Sequence, residues 1–234
     1  MDRLHTFKHA DARRKKAMAM STITFLNRRH TDPRRIWHWY DFRCPYCYVA
    51  QARLAALRMA GLYPEVMPYP APVDVRLPPP FDRRRTGSTR RLIERAARDA
   101  GLPLYWPTRV PDTRRALAVT EWVRQYQPDL VVSLHLRLFG AHFALGEDLG
   151  DHRVVDTIAD QVGVDVVHVR AALLDGTAEQ AVAGCVSVAH RYGVTGPPAW
   201  LIGERVVNGL PQTFAFDDVM RAIPGDRRMV ARRR

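Results

Sequence analysis

The alternation of hydrophobic and polar positions predicts a strand, a helix and a second strand at the start of the central part of the chain. A short apolar run over 36–41 is typical of a buried strand. A helix follows, with apolar positions at Val49, Leu54, Leu57 and Met59, and Gly61 is its expected end. A second apolar run over 63–69 predicts the next strand.

From Ser88 to Tyr192 the pattern changes to helices alone. Ser88 is placed to cap a helix that ends at Gly101, and Asp112 to cap a second that ends before Pro128. Apolar residues at helical spacing predict four more helices, around 130–139, 154–162, 169–174 and 181–189. Strand patterns return at 199–202 and 205–207 and predict a hairpin, and a final helix is expected after Thr213.

Two cysteines stand at the junction between the first strand and the first helix, in the sequence Cys44-Pro45-Tyr46-Cys47. Thiols three positions apart at a helix start lie on one face and can close a disulfide. The unpaired amides and the dipole of the helix N-terminus stabilise a thiolate on the first of them, and a thiolate is the nucleophile in disulfide exchange. Cys44 is therefore the candidate nucleophile, and Cys47 the candidate resolving thiol.

The other interpretation of this pair is half of a zinc site. Such a site needs two more Cys or His ligands at comparable spacing. Only Cys185 remains among the cysteines, and the nine histidines are dispersed. We therefore expect redox chemistry and no metal. Cys185 lies on the apolar face of a predicted helix and is expected to be a buried small side chain.

The order of elements around this motif predicts an α/β, thioredoxin-like fold whose β-α-β and β-β-α halves are interrupted by an all-helical insertion domain. The expected divisions follow the chain. They are a basic, disordered tail at 1–35, the first half at 36–87, the helical insertion at 88–192, the second half at 193–223 and a basic tail at 224–234.

The formal net charge of +12 belongs mainly to the two ends of the chain. Residues 1–35 carry a net charge of +7 and residues 224–234 one of +4, so the part between them is close to neutral. Such terminal charge runs are typical of solvated tails, and we expect no nucleic-acid partner. One arginine cluster, Arg83–Arg98, lies in the nearly neutral central part of the chain. It is explained either by a helix face exposed to solvent or by a patch that faces the substrate.

We expect a soluble, cytoplasmic protein without a membrane span. The first thirty residues contain no apolar region typical of a secretory signal, and no apolar run of about 18 residues occurs elsewhere. In that compartment a Cys-x-x-Cys pair is kept reduced and is typically catalytic. The pattern leaves open whether the protein is a monomer or a homodimer.

Four segments give the chain a family resemblance. They are Asp41 to Tyr48 around the two cysteines, Leu138 to Phe143 with Gly146 to Leu149, Tyr192 to Ile202 with its Gly-Val-Thr-Gly-Pro-Pro element, and Gly209-Leu210-Pro211. In these segments the chain is similar to the DsbA family of thioredoxin-like proteins. The similarity is closest to the FrnE-like branch, which includes 2-hydroxychromene-2-carboxylate isomerase-like proteins.

The resemblance implies a role for the two consecutive prolines at 197 and 198. The family's cis-proline lies against the active-site thiols, and Pro198 occupies the matching position. The residue before it is expected to offer its backbone to an extended peptide substrate, but Pro197 has no N–H to donate. Pro45 and Tyr46 are expected to line the same substrate groove, and His38 is a candidate for tuning the thiolate. For His38, an ordinary place in an alternating strand is the alternative.

The resemblance and the motif together predict a thiol-disulfide oxidoreductase that needs no cofactor beyond its redox-active disulfide. Its substrate would be a small thiol or disulfide, or a protein disulfide, and a low-molecular-weight thiol could serve as co-substrate. The alternative is a glutathione-type isomerase or transferase, like 2-hydroxychromene-2-carboxylate isomerase or the kappa-class glutathione transferases. Those relatives usually carry serine at the position of Cys44, which favours redox exchange here.

Overall fold

Four strands form one mixed sheet at the centre of the fold. The computed structural model describes residues 36–59, 65–70, 88–107 and 110–209. The strands are β1 (Ile36–Tyr40), β2 (Glu65–Pro68), β3 (Ala199–Ile202) and β4 (Arg205–Asn208). They lie in the order β2-β1-β3-β4, with β1 parallel to β2 and antiparallel to β3, and with β3 antiparallel to β4.

Seven α-helices accompany the sheet in the described part of the chain. They are α1 (Pro45–Met59), α2 (Ser88–Asp99), α3 (Arg114–Tyr126), α4 (Val131–Phe143), α5 (His152–Val162), α6 (Val166–Leu174) and α7 (Thr177–Arg191), with a short 3₁₀ helix at Pro128–Leu130 before α4. Helix α1 connects the parallel strands β1 and β2. Helices α2 to α7 all fall between β2 and β3, so they form a helical insertion in the α/β fold.

Both faces of β1 are covered, which explains why its sequence is almost continuously apolar. Tyr40 belongs to the core that contains α1, α3 and α4. Trp37 and Trp39 point to the opposite face, where they pack against Cys185 and other residues of α7. Burial on two sides fixes β1 in the middle of the sheet, and the motif that follows β1 is fixed with it.

The structure confirms the predicted order of strand, helix and strand, the helical insertion and the β3–β4 hairpin. Several boundaries differ by a few residues. Helix α2 includes Ser88 and ends at Asp99, and α3 begins at Arg114, so Asp112 lies outside the helix, where its carboxylate accepts the Arg114 N–H at 3.1 Å. The stop at Gly61, the final helix after Thr213, both basic tails and Arg83–Arg85 lie outside the described residues. The expected domain boundaries stay predictions.

Within the described residues, no helix combines the length and the apolar character that crossing a membrane requires.

Candidate active site

Cys44 and Cys47 lie at the N-terminus of α1, where the chain leaves β1. Pro45 is the first helical residue, a position where a missing N–H costs nothing. The Cys44 N–H donates to the Asp41 carbonyl at 3.0 Å, and the Cys47 N–H donates to Cys44 Sγ at 3.4 Å. Both cysteines are free thiols; Cys44 is half-buried and Cys47 is fully buried. An N–H aimed at Cys44 Sγ stabilises negative charge on that sulfur.

Pro197 and Pro198 form the opposite wall of the site. The peptide bond between them is cis, as the resemblance implies. The Cys44 thiol donates to the Pro197 carbonyl, with 3.7 Å between sulfur and oxygen. Pro198 is buried, and its carbonyl accepts the Gly209 N–H at 2.7 Å. The first half and the second half of the fold therefore meet at Cys44.

The two thiols differ in environment. Burial raises the pKa of the Cys47 thiol well above its ordinary value, and the hydrogen bond with Cys44 raises it further. Cys47 is therefore protonated at neutral pH, whereas Cys44 is the sulfur that solvent can reach. Cys44 is thus the sulfur that an external molecule can contact, whereas Cys47 is shielded by the protein. Their roles as nucleophile and resolving thiol stay predictions.

Asp41 anchors the loop that carries Cys44. Its side chain is fully buried and pairs with the Arg43 guanidinium, whose Nη2 lies 2.7 Å from Oδ2 and whose Nε lies 3.2 Å from Oδ1. Asp41 Oδ1 also accepts the Arg43 N–H at 2.8 Å and the Thr113 hydroxyl at 3.0 Å. Thr113 immediately precedes α3, so this carboxylate joins the active-site loop to the helical insertion.

A second polar link runs from Cys47 to the insertion. Gln51 Nε2 donates to the Cys47 carbonyl at 3.0 Å, and Gln51 Oε1 lies 3.0 Å from His135 Nδ1. Since the amide oxygen can only accept, Nδ1 carries the proton. Burial lowers the pKa of His135 well below its usual value, so the ring is neutral. The link holds the first turn of α1 against α4.

His38 is fully buried within the sheet. Its ring stacks on Trp200 with 4.0 Å between centroids, and Nδ1 lies 3.3 Å from the Ala199 carbonyl. Burial lowers the pKa of His38 from its usual 6.5 to about 3. The imidazole is neutral at physiological pH, so any influence on Cys44 is not that of a formal positive charge. Its tuning role stays a prediction.

The buried, neutral His38 makes the stability of the fold depend on pH. In the unfolded chain the His38 imidazole takes up a proton near pH 6.5, whereas in the folded chain it does so only near pH 3. The free energy of unfolding is therefore not reduced by this imidazole above pH 6.5. As the pH decreases from 6.5 toward 3, protonation of the unfolded chain at His38 lowers the free energy of unfolding by about 1.4 kcal/mol per pH unit. We expect the free energy of unfolding of His38→Phe, measured with denaturant between pH 5 and 6, to change less steeply with pH than that of the unmodified protein. The difference in slope corresponds to about one proton.

The control for this measurement is Trp39→Phe, because Trp39 is fully buried in β1 like His38 but does not titrate between pH 5 and 6. Its pH slope is expected to equal that of the unmodified protein. An unchanged slope in His38→Phe would contradict the burial of a neutral imidazole at this position.

Tyr46 lies between the two cysteines and faces helix α2. It is half-buried and packs against the small apolar cluster formed by Val49, Ile93 and Ala97. Tyr48, one residue past the motif, donates its hydroxyl to the Pro103 carbonyl at 2.6 Å. The structure therefore places segment 88–107 along one side of the redox motif.

The family assignment rests on a match that covers most of the chain. The family described as DSBA-like thioredoxin domain matches residues 35–221. The chain belongs to this family. The matched range contains both cysteines, both prolines and the whole helical insertion, so the DSBA-like thioredoxin domain includes every element of the site described above.

Several known proteins are similar to this chain. The uncharacterized protein YwbO of Bacillus subtilis (strain 168) is 24% identical over 182 residues, which cover 76% of this chain and 90% of YwbO. A solved 2-hydroxychromene-2-carboxylate isomerase has a TM-score of 0.68 at 19% identity, with 80% of this chain and 94% of that chain covered. The cytosolic disulfide reductase DsbM from Pseudomonas aeruginosa with GSH has a TM-score of 0.57 at 17% identity, covering 80% and 96%. At these identities the structural similarity shows the fold.

The sequence suggested that Asp41 orients the loop before Cys44, but it did not reveal two long-range contacts of this DSBA-like site, Asp41–Thr113 and Gln51–His135. The Asp41–Arg43–Thr113 anchor had a local signal, because Asp-x-Arg permits a side-chain pair across one turn, but nothing in the sequence indicated Thr113. The Gln51–His135 link had no signal, since its two residues lie 84 positions apart.

Other candidates take no part in the site. Cys185 is fully buried on α7, as predicted. Among the described residues, no group of three or more His, Cys, Asp or Glu side chains is arranged to hold a metal ion.

Proposed function

We propose that this protein is a cytoplasmic thiol-disulfide oxidoreductase that uses the Cys44–Cys47 pair. The observation that carries the proposal is the geometry of that pair. A solvent-accessible sulfur at a helix N-terminus accepts an N–H from its partner, while the partner thiol is buried and protonated. The family membership supports the same reaction class.

The reaction proceeds in two exchange steps. The Cys44 thiolate attacks one sulfur of a substrate disulfide, forms a mixed disulfide and releases the other sulfur as a thiolate that takes up a proton. Cys47 then loses its proton and attacks Cys44 Sγ, so the second substrate sulfur leaves and the Cys44–Cys47 disulfide forms. The substrate gains two electrons and the enzyme loses two. Two molecules of a small thiol return the pair to its reduced form, and the same steps in reverse oxidise a dithiol substrate.

The second wall of the site favours small thiols and disulfides as substrates. An extended peptide docks beside a cis-proline by pairing with the backbone of the preceding residue. Pro197 offers no N–H, and its carbonyl already lies within reach of the Cys44 thiol. The structural neighbour DsbM, described as a cytosolic disulfide reductase with GSH, supports a small-thiol co-substrate.

The alternative function is a glutathione-type isomerase or transferase on the same fold. The TM-score of 0.68 to 2-hydroxychromene-2-carboxylate isomerase favours it. In that case Cys44 would bind or activate a small thiol, and Cys47 would have no chemical step to perform.

Parallel assays of the purified protein separate the two functions. We expect rapid reduction of small disulfides and measurable reduction of insulin disulfides, with little chromene isomerisation or glutathione conjugation. Cys47→Ala is the diagnostic variant, since without added thiol it should stop at the Cys44 mixed disulfide, whereas the unmodified protein should release both halves of the substrate and form the Cys44–Cys47 disulfide. Release of both halves of the disulfide by Cys47→Ala without added thiol, or isomerisation faster than exchange, would support the alternative instead.

A further inference from the structure

The second exchange step of the proposed reaction depends on the position of Cys47. Its side chain is fully buried, and burial raises the pKa of its thiol, so Cys47 is protonated at neutral pH. Its sulfur must come into line with the bond between Cys44 Sγ and the substrate sulfur. A displacement of about 1 Å from a productive geometry lowers the rate of such a step by about 100-fold. The groups that fix Cys47 therefore control this step.

Two hydrogen bonds hold the backbone of Cys47 in place. Its N–H donates to Cys44 Sγ at 3.4 Å, and its carbonyl accepts a hydrogen bond from Gln51 Nε2 at 3.0 Å. A carbonyl oxygen has two lone pairs, so it accepts this bond in addition to the N–H that an α-helix supplies from four positions later. The Gln51 amide is thus an added restraint on the residue that carries the resolving sulfur.

His135 fixes the direction of the Gln51 amide. Gln51 Oε1 lies 3.0 Å from His135 Nδ1, and both residues are buried. Because the neutral imidazole donates from Nδ1, the amide oxygen faces His135 and the amide NH₂ faces the Cys47 carbonyl. Among the described residues, His135 Nε2 has no hydrogen-bond partner. The polar contact of this ring is therefore directed to Gln51.

Aromatic side chains hold the His135 ring from two elements. The ring makes edge-to-face contacts with Tyr40 of β1 and Phe139 of α4, with 4.3 Å and 5.0 Å between centroids. Such contacts fix the relative orientation of the ring planes. A continuous chain of contacts therefore runs from the helical insertion through His135 and Gln51 to Cys47.

Cys44 is supported by different contacts. Its N–H donates to the Asp41 carbonyl at 3.0 Å, and its thiol donates to the Pro197 carbonyl with 3.7 Å between sulfur and oxygen. The side-chain hydrogen bonds of Gln51 go to Cys47 and to α4 instead. The two sulfurs of the redox pair are thus held in place by separate contacts.

We propose that Gln51 and His135 are positioning residues for the resolving step, and this inference rests on the proposed oxidoreductase function. In that step Cys47 Sγ forms a bond to Cys44 Sγ, while the bond from Cys44 Sγ to the substrate sulfur breaks. The substrate sulfur leaves with the electron pair, and the proton that Cys47 loses balances the charge of this leaving thiolate. The Gln51–His135 link acts through the Cys47 backbone, and the first attack by Cys44 does not depend on it.

The test follows both steps in the full-length protein. Reduced protein is mixed with glutathione disulfide at several concentrations without added thiol, and the reaction is stopped with acid. Mass spectrometry separates the glutathione mixed disulfide from the Cys44–Cys47 disulfide. The rate of the first attack rises with the concentration of glutathione disulfide, whereas the rate of the intramolecular step does not.

Gln51→Met keeps a long, unbranched side chain and removes both hydrogen bonds of the link. We expect the conversion of the mixed disulfide to the Cys44–Cys47 disulfide to become about tenfold slower, as for a displacement of a few tenths of an ångström. The rate of the first attack is expected to be unchanged, so the mixed disulfide accumulates.

His135→Phe is a second variant, which keeps an aromatic ring and removes the donor to Gln51. It is expected to slow the same step, and it decides the question if Gln51→Met does not fold. The double variant is expected to be no slower than Gln51→Met, since the two residues form one link. His135→Gln returns a donor amide to this position and is expected to recover part of the lost rate.

Gln125→Met is the matched control. Gln125 Nε2 donates to Glu121 Oε1 at 2.7 Å, four positions earlier on α3, which is the spacing that separates Gln51 from Cys47. The control removes the same type of contact from another helix. It is expected to leave the rates of both steps unchanged.

The outcomes separate this inference from the function on which it rests. If the unmodified protein forms no Cys44–Cys47 disulfide, the proposed function fails, and the positioning role fails with it. If the disulfide forms and the Gln51 and His135 variants slow both steps equally, or slow neither, the function stands and the positioning role is wrong. An equal slowing of the second step in Gln125→Met would also overturn it.

Discussion

Cys44→Ser is expected to lower the rate of disulfide exchange by about 1000-fold or more, since a serine hydroxyl neither ionises near neutral pH nor forms a mixed disulfide. The Cys44 sulfur is the half-exposed one of the pair, it receives the Cys47 N–H, and it faces the Pro197 carbonyl. No described cysteine can replace it, because Cys47 and Cys185 are both fully buried. The rate is measured with insulin and with a small disulfide.

The matched control is Cys185→Ser. This thiol lies on α7 in the core on the far face of the sheet, so its replacement is expected to leave the rate of exchange unchanged. Retention of full exchange activity in Cys44→Ser would disprove the assignment of the nucleophile. A circular dichroism spectrum equal to that of the unmodified protein shows that the loss is chemical.

Asp41→Ala is expected to lower the free energy of unfolding by about 3 kcal/mol, since it removes the fully buried carboxylate that pairs with the largely buried Arg43 guanidinium. The Arg43 side chain is 11% exposed and that of Asp41 is 0% exposed. The change also leaves the Thr113 hydroxyl and the Arg43 N–H without their acceptor. Denaturant unfolding measures the loss, and the rate of exchange is expected to fall with it, because the loop before Cys44 loses its anchor.

The chain contains a natural control for Asp41→Ala. Asp112 pairs with Arg114 across the same Asp-x-Arg spacing, and there the side chains are 51% and 81% exposed. Asp112→Ala is therefore expected to leave the free energy of unfolding nearly unchanged, as for other exposed ion pairs. Equal effects of the two substitutions would show that the Asp41 carboxylate is not the anchor of the loop.

The elements that local patterns determine could be predicted from the sequence. The apolar run of β1, the Cys-x-x-Cys motif and the apolar spacing of α1 follow one another directly, so the position of the thiols at a helix N-terminus needs no long-range information. The cis bond at Pro198 came from the family resemblance and not from local pattern. The helical insertion was predictable for the same reason as α1, since each of its helices carries its own apolar face.

The contacts that hold the thiols in place were not predictable. Asp41 and Thr113 are separated by 72 positions, and Gln51 and His135 by 84. Each of these links depends on how the insertion packs against the sheet, which no local pattern encodes. For the same reason, the sequence alone left the arginines of α2 open between a solvated face and a substrate surface. The structure places Arg91, Arg95 and Arg98 on the exposed side of α2, opposite the buried side that packs toward Tyr46.

The most direct test of the central claim is a trapping experiment with glutathione disulfide. Cys47→Ser removes the resolving thiol, so attack by Cys44 should stop at a stable mixed disulfide. Peptide mass mapping is expected to find one glutathione on Cys44 in this variant, and none on any cysteine in Cys44→Ser. A glutathione adduct on Cys47 or Cys185 in Cys44→Ser, or no adduct on Cys44 in Cys47→Ser, would contradict the assignment of Cys44 as the nucleophile of the redox pair.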